Sequence, residues 1–372
     1  MADRPLFIFA GGGTGGHLFP AVAVAEELSR LAPHVQVEFY VTDRPVDRQI
    51  LDGRGWTTVP QSVRPFTLRP WRWPAFWLHW RRAVRQAAGR MKTRRPALVL
   101  GTGGFGAAPA IYAAHRMGIT TALINPDAVP GRANRRLGSL VDAVFCQWEV
   151  SAKWFGHVPL VVATGCPIRR GFLEVDRSQA CRAFHLDPDK RTLLVTGASQ
   201  GARTVNQAML EVLGDLAKQA HHWQVLHLSG PLDFQQVSES YKGRLDGAVV
   251  LPFTERMPDA IAAADLVVSR AGASTLAELT AVGRASVLFP YPFHRDMHQR
   301  ANAEILAAGG AAVLLEDRID PRANAEQLAP VLRDLMGYPE RLARMAAAAR
   351  KMGKPEASTT VAKHLLEMTQ LA

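Results

Sequence analysis

The chain has 372 residues, of which 48% are hydrophobic and 21% are charged. One hydrophobic core rarely organises a chain of this length, so two domains are predicted. The absence of any run of 18 or more apolar residues argues against an integral membrane protein, and the N-terminal segment lacks the pattern of a signal peptide. The sequence therefore predicts a cytoplasmic protein.

The net charge indicates the kind of partner, and the cysteines indicate the redox compartment. The net charge of +11 indicates an anionic partner: nucleic acid, an anionic membrane or a phosphorylated substrate. Nucleic acid ranks last among these because no RNA-binding or zinc-finger motif is present. The three cysteines, Cys146, Cys166 and Cys181, show no C-x-x-C spacing. This fits a reducing compartment and argues against a structural zinc site.

The first element is a short apolar strand followed by the glycine-rich loop AGGGTGGHLFP, residues 10–20, and then a predicted helix. Gly11, Gly13 and Gly16 satisfy the G-x-G-x-x-G pattern of dinucleotide sites, and Asp43 stands where a ribose-binding acid is usual. The loop alone therefore leaves an oxidoreductase open. Such a loop brings the backbone close to a ligand and favours negative charge at the helix N-terminus.

His17 lies in the first turn of that helix. It stands where a triphosphate-binding loop requires lysine, which excludes that kind of loop. The helix dipole disfavours the imidazolium there, so the ring should be neutral and able to accept a proton. His17 is predicted to act as a general base, and the alternative is a histidine that only caps the loop.

Tryptophan and arginine are concentrated in residues 64–95, RPFTLRPWRWPAFWLHWRRAVRQAAGRMKTRR. Basic heads beside indole rings suit a lipid headgroup region. The alternative is an ordinary helix whose tryptophans pack into the core while its arginines are solvated. The tryptophans in question are Trp71, Trp73, Trp77 and Trp80.

Short apolar runs alternate with helical stretches along most of the chain, which is typical of parallel α/β domains. The predicted strands are Leu6–Phe9, Val35–Val41, Ala97–Leu100, Thr120–Ile124 and Ala143–Phe145, then Thr192–Val195, Gln224–Leu228, Ala248–Leu251, Leu266–Val268, Ser286–Phe289 and Ala312–Leu315. The pattern restarts near residues 165–172. We predict an N-terminal domain over residues 1–165, a C-terminal domain over 166–350, and a last helix over 351–372 that can pack back on the first domain.

The second half contains two more loops that lead from a strand into a helix. In TGASQGAR, residues 196–203, Ser199 and nearby amides could hold a phosphate. In SRAGASTLAEL, residues 269–279, Glu278 could accept both hydroxyls of a ribose. The following segment 293–302 supplies amide side chains suited to sugar hydroxyls.

Four motifs in this order, GGGTGGHLFPA, TGASQGARTVN, SRAGASTLAE and the D-x-x-Q-x-x-N of Asp296, Gln299 and Asn302, resemble those of the MurG family of peptidoglycan glycosyltransferases. The resemblance extends from Leu6 to about Val313. It implies the GT-B fold: an α/β protein with two Rossmann-like, doubly wound domains facing across a cleft. It also implies inverting transfer of N-acetylglucosamine from UDP to lipid I, which yields lipid II.

The resemblance assigns roles to particular residues. His17 becomes the catalytic base. The residues implied in acceptor binding are Thr14, Gly15, Gly16 and Asp127. The residues implied in donor binding are Arg169, Ser199, Thr254, Glu278, Gln299 and Asn302.

The implied partners are UDP-N-acetylglucosamine, a polyprenyl-pyrophosphate-linked acceptor and the cytoplasmic leaflet of the membrane, where the protein would be peripheral. No cofactor and no metal ligands are expected, although a divalent cation could stimulate the reaction. The D-x-D sequence of Asp187 and Asp189 is interpreted as a turn. Helix dipoles and backbone donors can stabilise the leaving UDP instead.

Several positions depart from the family pattern. Ile124–Asp127 replaces the usual H-E-Q-N, residues 103–109 lack the usual serine, Cys166 replaces asparagine, and His298 replaces a glutamine. A transferase with another lipid or glycan acceptor, or a donor-binding paralogue without transfer activity, therefore stays open. An oxidoreductase would explain only the first glycine loop.

Overall fold

The computed structural model describes residues 4–64, 69–197, 201–293 and 296–371. Its contacts divide the chain into two compact units. The first comprises Met1–Arg169 together with Glu356–Ala372, and the second comprises Arg170–Pro355. Each unit is built around one parallel sheet.

The sheet of the first unit has seven strands in the order β3-β2-β1-β4-β5-β6-β7, all paired in parallel. The strands are β1 (Leu6–Ala10), β2 (Gln36–Thr42), β3 (Thr57–Gln61), β4 (Leu98–Gly101), β5 (Thr120–Asn125), β6 (Ala143–Cys146) and β7 (Leu160–Val162). The central strands are covered on both faces, which explains why their sequences are apolar runs. The two edge strands, β3 and β7, were absent from the sequence prediction.

Helices cover both faces of this sheet. They are α1 (Gly15–Leu31), α2 (Pro45–Leu51), α3 (Trp73–Arg94), α4 (Gly104–Arg116), α5 (Arg132–Leu137) and the C-terminal α16 (Ala357–Met368). Val361 and Leu365 of α16 are fully buried in the same cluster as Leu18 of α1. Ser358 Oγ also donates to the carbonyl of Ile168 at 2.7 Å, so the last helix is an integral part of the first unit.

The sheet of the second unit has six parallel strands in the order β10-β9-β8-β11-β12-β13. The strands are β8 (Arg191–Thr196), β9 (Trp223–Leu228), β10 (Ala248–Leu251), β11 (Leu266–Ser269), β12 (Ala285–Leu288) and β13 (Ala312–Leu314). The helices are α6 (Gly171–Glu174), α7 (Arg177–Ala183), α8 (Arg203–Glu211), α9 (Leu213–Ala217), α10 (Phe234–Tyr241), α11 (Met257–Ala263), α12 (Ala273–Val282), α13 (His298–Ala308), α14 (Pro321–Gly337) and α15 (Pro339–Met352).

Both sheets have a point at which the strand order reverses, between β1 and β4 in the first unit and between β8 and β11 in the second. In open parallel sheets, ligands bind outside the carboxyl ends of the strands at such a switch point. The predicted glycine loops follow β1, β8 and β11. The topology therefore brings these loops to the ligand-binding edge of each sheet.

Candidate active site

The glycine loop of the first unit follows β1 and is packed too closely for side chains. A Cβ on Gly11 would lie 2.1 Å from Thr102 Oγ1, and one on Gly12 would lie 2.4 Å from Asp47 Oδ2. Gly12 and Gly13 also have φ values of +107° and +87°, where a side chain is strained. Close approach and backbone conformation therefore both require glycine in this loop.

His17 bridges the switch point of the first sheet. Its Nδ1 lies 3.2 Å from the carbonyl oxygen of Thr102, which directly follows β4. A carbonyl oxygen can only accept, so Nδ1 carries the hydrogen and the lone pair of the neutral ring is on Nε2. The side chain is half-buried, and a Cβ on Gly104 would come within 3.4 Å of Nε2. This contact therefore favours the Nδ1–H tautomer, in which Nε2 can take a proton.

The predicted acceptor residues Thr14, Gly15 and Gly16 form the start of α1. Thr14 is exposed and extended, and its carbonyl accepts from the amides of His17 and Leu18 at 3.2 Å each. Within α1, which is described throughout, the first turn has no acidic side chain and the Thr14 hydroxyl makes no capping hydrogen bond. The positive end of the helix dipole at the start of α1 therefore favours a negatively charged ligand group.

Asp127 lies in the loop after β5, at the same edge of the sheet. Its carbonyl accepts from Asn125 Nδ2 at 2.8 Å and from Ser151 Oγ at 3.0 Å. Asn134 Nδ2 donates to Asn125 Oδ1 at 3.1 Å, and a Cβ on Gly103 would lie 2.9 Å from Asn134 Oδ1. Asn134 therefore fixes the end of β5 and packs closely against Gly103 of the loop after β4, a position that the sequence interpretation missed.

The second unit has a buried charged network at the carboxyl edge of its sheet. Arg270, directly after β11, donates to Asp317 Oδ2 at 2.7 Å and to Thr204 Oγ1 at 2.8 Å. Its Nη1 also donates to the carbonyl of Phe289 at 3.1 Å. Thr204 lies in the first turn of α8, so Arg270 connects that turn with the ends of β11, β12 and β13. Sequence reasoning missed this network as well.

Asp317 is the carboxylate of this network, and its side chain has no exposed area. Burial alone would raise its pKa, but hydrogen bonds from Thr204, Asn324, the Ile319 amide and Arg270 outweigh burial and hold the pKa below its usual range. Asn324 Nδ2 donates at 2.8 Å. Asp317 is therefore ionised and fully hydrogen-bonded at neutral pH.

The predicted donor residues of the second unit lie on loops and helix starts at the same edge. Thr254 Oγ1 accepts from the Arg256 amide at 3.0 Å, and Gln299 Oε1 accepts from the Tyr291 amide at 2.9 Å. Glu278 is half-buried on α12 and Asn302 is fully buried on α13. Thr254 therefore shapes its own loop, and Gln299, in the first turn of α13, holds the loop after β12 at Tyr291.

Two predicted donor residues fall elsewhere. Ser199 lies outside the described residues. Arg169 is the last residue of the first unit, and its guanidinium carbon lies 4.4 Å from the centroid of the Phe19 ring on α1. The structure thus places Arg169 beside the helix that carries His17, in a different unit from Thr254, Glu278, Gln299 and Asn302.

Helix α3 carries the tryptophan- and arginine-rich sequence, and only Ala83, Ala87 and Met91 of it are buried. Trp71 is 73% exposed, Trp77 is 52% exposed and the neighbouring Leu78 is 67% exposed. The interpretation of these side chains as core is therefore wrong for most of them.

Trp80 is the exception on α3. Its ring centroid lies 5.7 Å from that of Tyr112 on α4, which places it against the body of the unit. In the described part of the chain, no helix combines the length and apolarity needed to cross a bilayer.

Family comparisons agree with this architecture. The sequence model of the glycosyltransferase family 28 N-terminal domain matches residues 7–146, and that of the family 28 C-terminal domain matches residues 192–361. Together with the two parallel sheets, these matches define a glycosyltransferase of the GT-B fold.

Individual relatives show to which family of glycosyltransferases the chain belongs. The UDP-N-acetylglucosamine--N-acetylmuramyl-(pentapeptide) pyrophosphoryl-undecaprenol N-acetylglucosamine transferases of Desulforamulus reducens and Prosthecochloris aestuarii are each 37% identical to this chain. The matches cover 96% of both chains for the first, and 98% of this chain and 99% of the relative for the second. The crystal structure of Acinetobacter baumannii MurG superposes with a TM-score of 0.74 at 26% identity, covering 98% of this chain and 99% of that one. The chain belongs to the MurG family.

Proposed function

We propose that this protein transfers N-acetylglucosamine from UDP-N-acetylglucosamine to the muramyl group of lipid I and so forms lipid II for peptidoglycan synthesis. The observation that carries the proposal is the contact of His17 Nδ1 with the Thr102 carbonyl at 3.2 Å, which leaves Nε2 as the proton acceptor. Family membership supports the choice of donor and of lipid-linked acceptor, since relatives over nearly the whole chain carry that activity in their names.

The proposed reaction is a single inverting displacement. The acceptor hydroxyl oxygen forms a bond to the anomeric carbon while the bond from that carbon to the UDP oxygen breaks, and UDP leaves with the bonding pair. His17 Nε2 takes the hydroxyl proton. The imidazolium that results keeps its Nδ1 hydrogen bond to Thr102, which holds the ring in orientation throughout the step.

In this proposal the donor is held by Arg169, Ser199, Thr254, Glu278, Gln299 and Asn302. The hydrogen bond from the Tyr291 amide engages Oε1 of Gln299, so Nε2 is the atom that would donate to a sugar hydroxyl. The carboxylate of Glu278 would accept from the ribose hydroxyls. Thr14, Gly15, Gly16 and Asp127 form the proposed acceptor side.

The proposed chemistry needs no cofactor. Helix N-termini and loop amides at the switch point of the second sheet can stabilise the leaving diphosphate. A divalent cation would act only as a stimulant, by neutralising charge on the diphosphate.

The test is direct transfer. Purified protein is incubated with labelled UDP-N-acetylglucosamine and a short-chain lipid I analogue, and label in the lipid is measured. We expect transfer with inversion at the anomeric carbon. Donor binding without transfer would contradict the proposed acceptor and direct attention to Ile124–Asp127, where the chain departs from the family pattern.

We further propose that the protein is peripheral on the cytoplasmic leaflet and docks through α3. Exposed Trp77 and Leu78 of α3, with Trp71 in the turn just before it, would enter the headgroup region, where indole rings are favoured. The exposed Arg81, Arg82 and Arg85 follow on the same helix, and each basic side chain near an anionic surface contributes about 1 kcal/mol.

Replacing Trp71 and Trp77 with serine should weaken binding to phosphatidylglycerol vesicles by about tenfold for each side chain removed from the bilayer. Co-sedimentation with vesicles measures the effect. Trp154, which is 37% exposed, stacked under Arg135 and outside α3 in sequence, provides the matched control. Trp80→Ser should instead lower the melting temperature. Vesicle binding unchanged by the double substitution would exclude α3 as the docking helix.

A further inference from the structure

Beneath the glycine loop of the first unit lies a carboxylate that no predicted role includes. Asp47, in the first turn of α2, is fully buried. The amide of Gly13 points between its two oxygens, at 2.8 Å from each. Oδ2 also accepts from the Thr42 amide at 3.1 Å and from the Thr42 hydroxyl at 2.5 Å. The buried charge is thus surrounded by donors.

The same contacts fix the course of the loop. Gly12 passes over the carboxylate so closely that a Cβ would lie 2.4 Å from Oδ2. On the outer side, Arg44 Nη1 donates to the Gly13 carbonyl at 2.8 Å. Both the amide and the carbonyl of Gly13 are therefore held by side chains from the β2–α2 connection. Hydrogen bonds to an ionised group are roughly twice as strong as neutral ones.

The loop leads directly into the catalytic helix. Thr14 follows Gly13 and caps α1, and His17 lies in the first turn, where its Nδ1 reaches Thr102. A rotation of the Gly13 peptide would displace the start of α1 and with it the imidazole. Rate is sensitive to such displacement, because a misplacement of about 1 Å can cost 10²-fold.

We infer that Asp47 is a positioning residue for transfer: it fixes the Gly12–Thr14 turn and thereby the orientation of His17. This inference rests on the proposed function. Asp43 is exposed, whereas Asp47 is directed into the loop itself and not towards a ribose.

The test is Asp47→Asn, which keeps the shape but places an NH2 group against the donors of Gly13 or Thr42. We expect kcat to fall at least tenfold while the Kd for UDP-N-acetylglucosamine stays within twofold of the wild-type value. The ¹⁵N NMR shifts of the His17 ring should report loss of the single Nδ1–H tautomer. A role in stability alone would leave that signature and kcat unchanged below the melting transition.

The matched control is Asp142→Asn. Asp142 accepts from the Thr121 amide at 2.8 Å and from the Thr121 hydroxyl at 3.1 Å, the same kind of pair, before β6 and away from the loop. It should change neither kcat nor the His17 shifts. Should Asp47→Asn fail to fold, Thr42→Val removes one donor to Asp47 and should lower kcat severalfold with the same change in tautomer.

Two results separate the inference from the proposed function. Wild-type protein that transfers to lipid I, with Asp47→Asn retaining full kcat and the wild-type His17 shifts, would overturn the role of Asp47 alone. Wild-type protein without any transfer would overturn the proposed function. The His17 shifts of Asp47→Asn, read without substrate, would then still decide whether Asp47 positions the ring.

Discussion

His17→Ala lowers the rate of transfer by about 10²–10⁴-fold, the usual contribution of a general base, and leaves the affinity for UDP-N-acetylglucosamine unchanged. The reason is that Nε2 of His17, on the opposite side of the ring from the Nδ1 contact with Thr102, is the proposed proton acceptor. Single-turnover rates with a lipid I analogue and calorimetric titration with the donor measure the two quantities separately.

His17→Asn refines the experiment, because an asparagine amide can donate to the Thr102 carbonyl but cannot accept a proton. It should be as inactive as His17→Ala. His115→Ala, an exposed histidine on α4 in the same unit, is the control and should keep full activity. If His17→Asn were active, the role of His17 would be its hydrogen bond to Thr102 and not proton abstraction.

The strands that the sequence predicted correctly are those with apolar runs, which are typical of parallel strands covered by helices. The two that it missed are edge strands. In β3, Thr57, Thr58 and Pro60 are exposed, and a proline inside a run argues against a strand. Strand β7 has only three residues, all half-buried. Edge position alone does not hide a strand, because β10 and β13 are also edge strands and both were predicted. Strand β3 was missed because it lacks an apolar run, and β7 was overlooked although it is as short and apolar as β13.

Local signals in the site could be predicted, and long-range partners could not. The position of His17 after the glycines sufficed to identify it. The partners that orient the loops come from distant sequence: Thr102 for His17, Asp47 for Gly13 and Asp317 for Arg270. These partners are far apart in sequence, and the parallel topology brings them to one edge of the sheet. The sequence alone therefore does not indicate which residues pair.

The exposure of the tryptophans around α3 is another property that the sequence did not determine. Tryptophans at helical spacing fit either a core or a membrane surface, and composition does not separate the two. Packing does: Trp80 meets Tyr112, while Trp71, Trp73 and Trp77 project outward. The choice between the alternatives required knowing which face of α3 meets α4.

Asp317→Asn destabilises the second unit by about 3–5 kcal/mol, since it leaves the guanidinium of Arg270, only 12% exposed, without its carboxylate. The protein is equilibrated at a series of urea concentrations and then given a short pulse of hydrogen exchange at one fixed pH. Deuterium uptake in peptides from β8 and β11 measures the unfolding of the second unit. The matched control is Glu304→Gln, which breaks an ion pair at the surface. The side chain of Arg300 is 50% exposed and that of Glu304 is 55% exposed. An exposed pair contributes about 0–1 kcal/mol.

The pH dependence gives an independent check of the same network. The pKa of Asp317 is lower in the folded protein than its unfolded value of about 3.9, so its ionised form stabilises the fold above that value. This stability is lost as pH falls through the folded pKa. The difference between wild type and Asp317→Asn should therefore be constant from pH 7 to about pH 5 and shrink below about pH 4. A difference that stayed constant into acid would show that the carboxylate charge does not carry the interaction with Arg270 and Thr204, and that side-chain shape does.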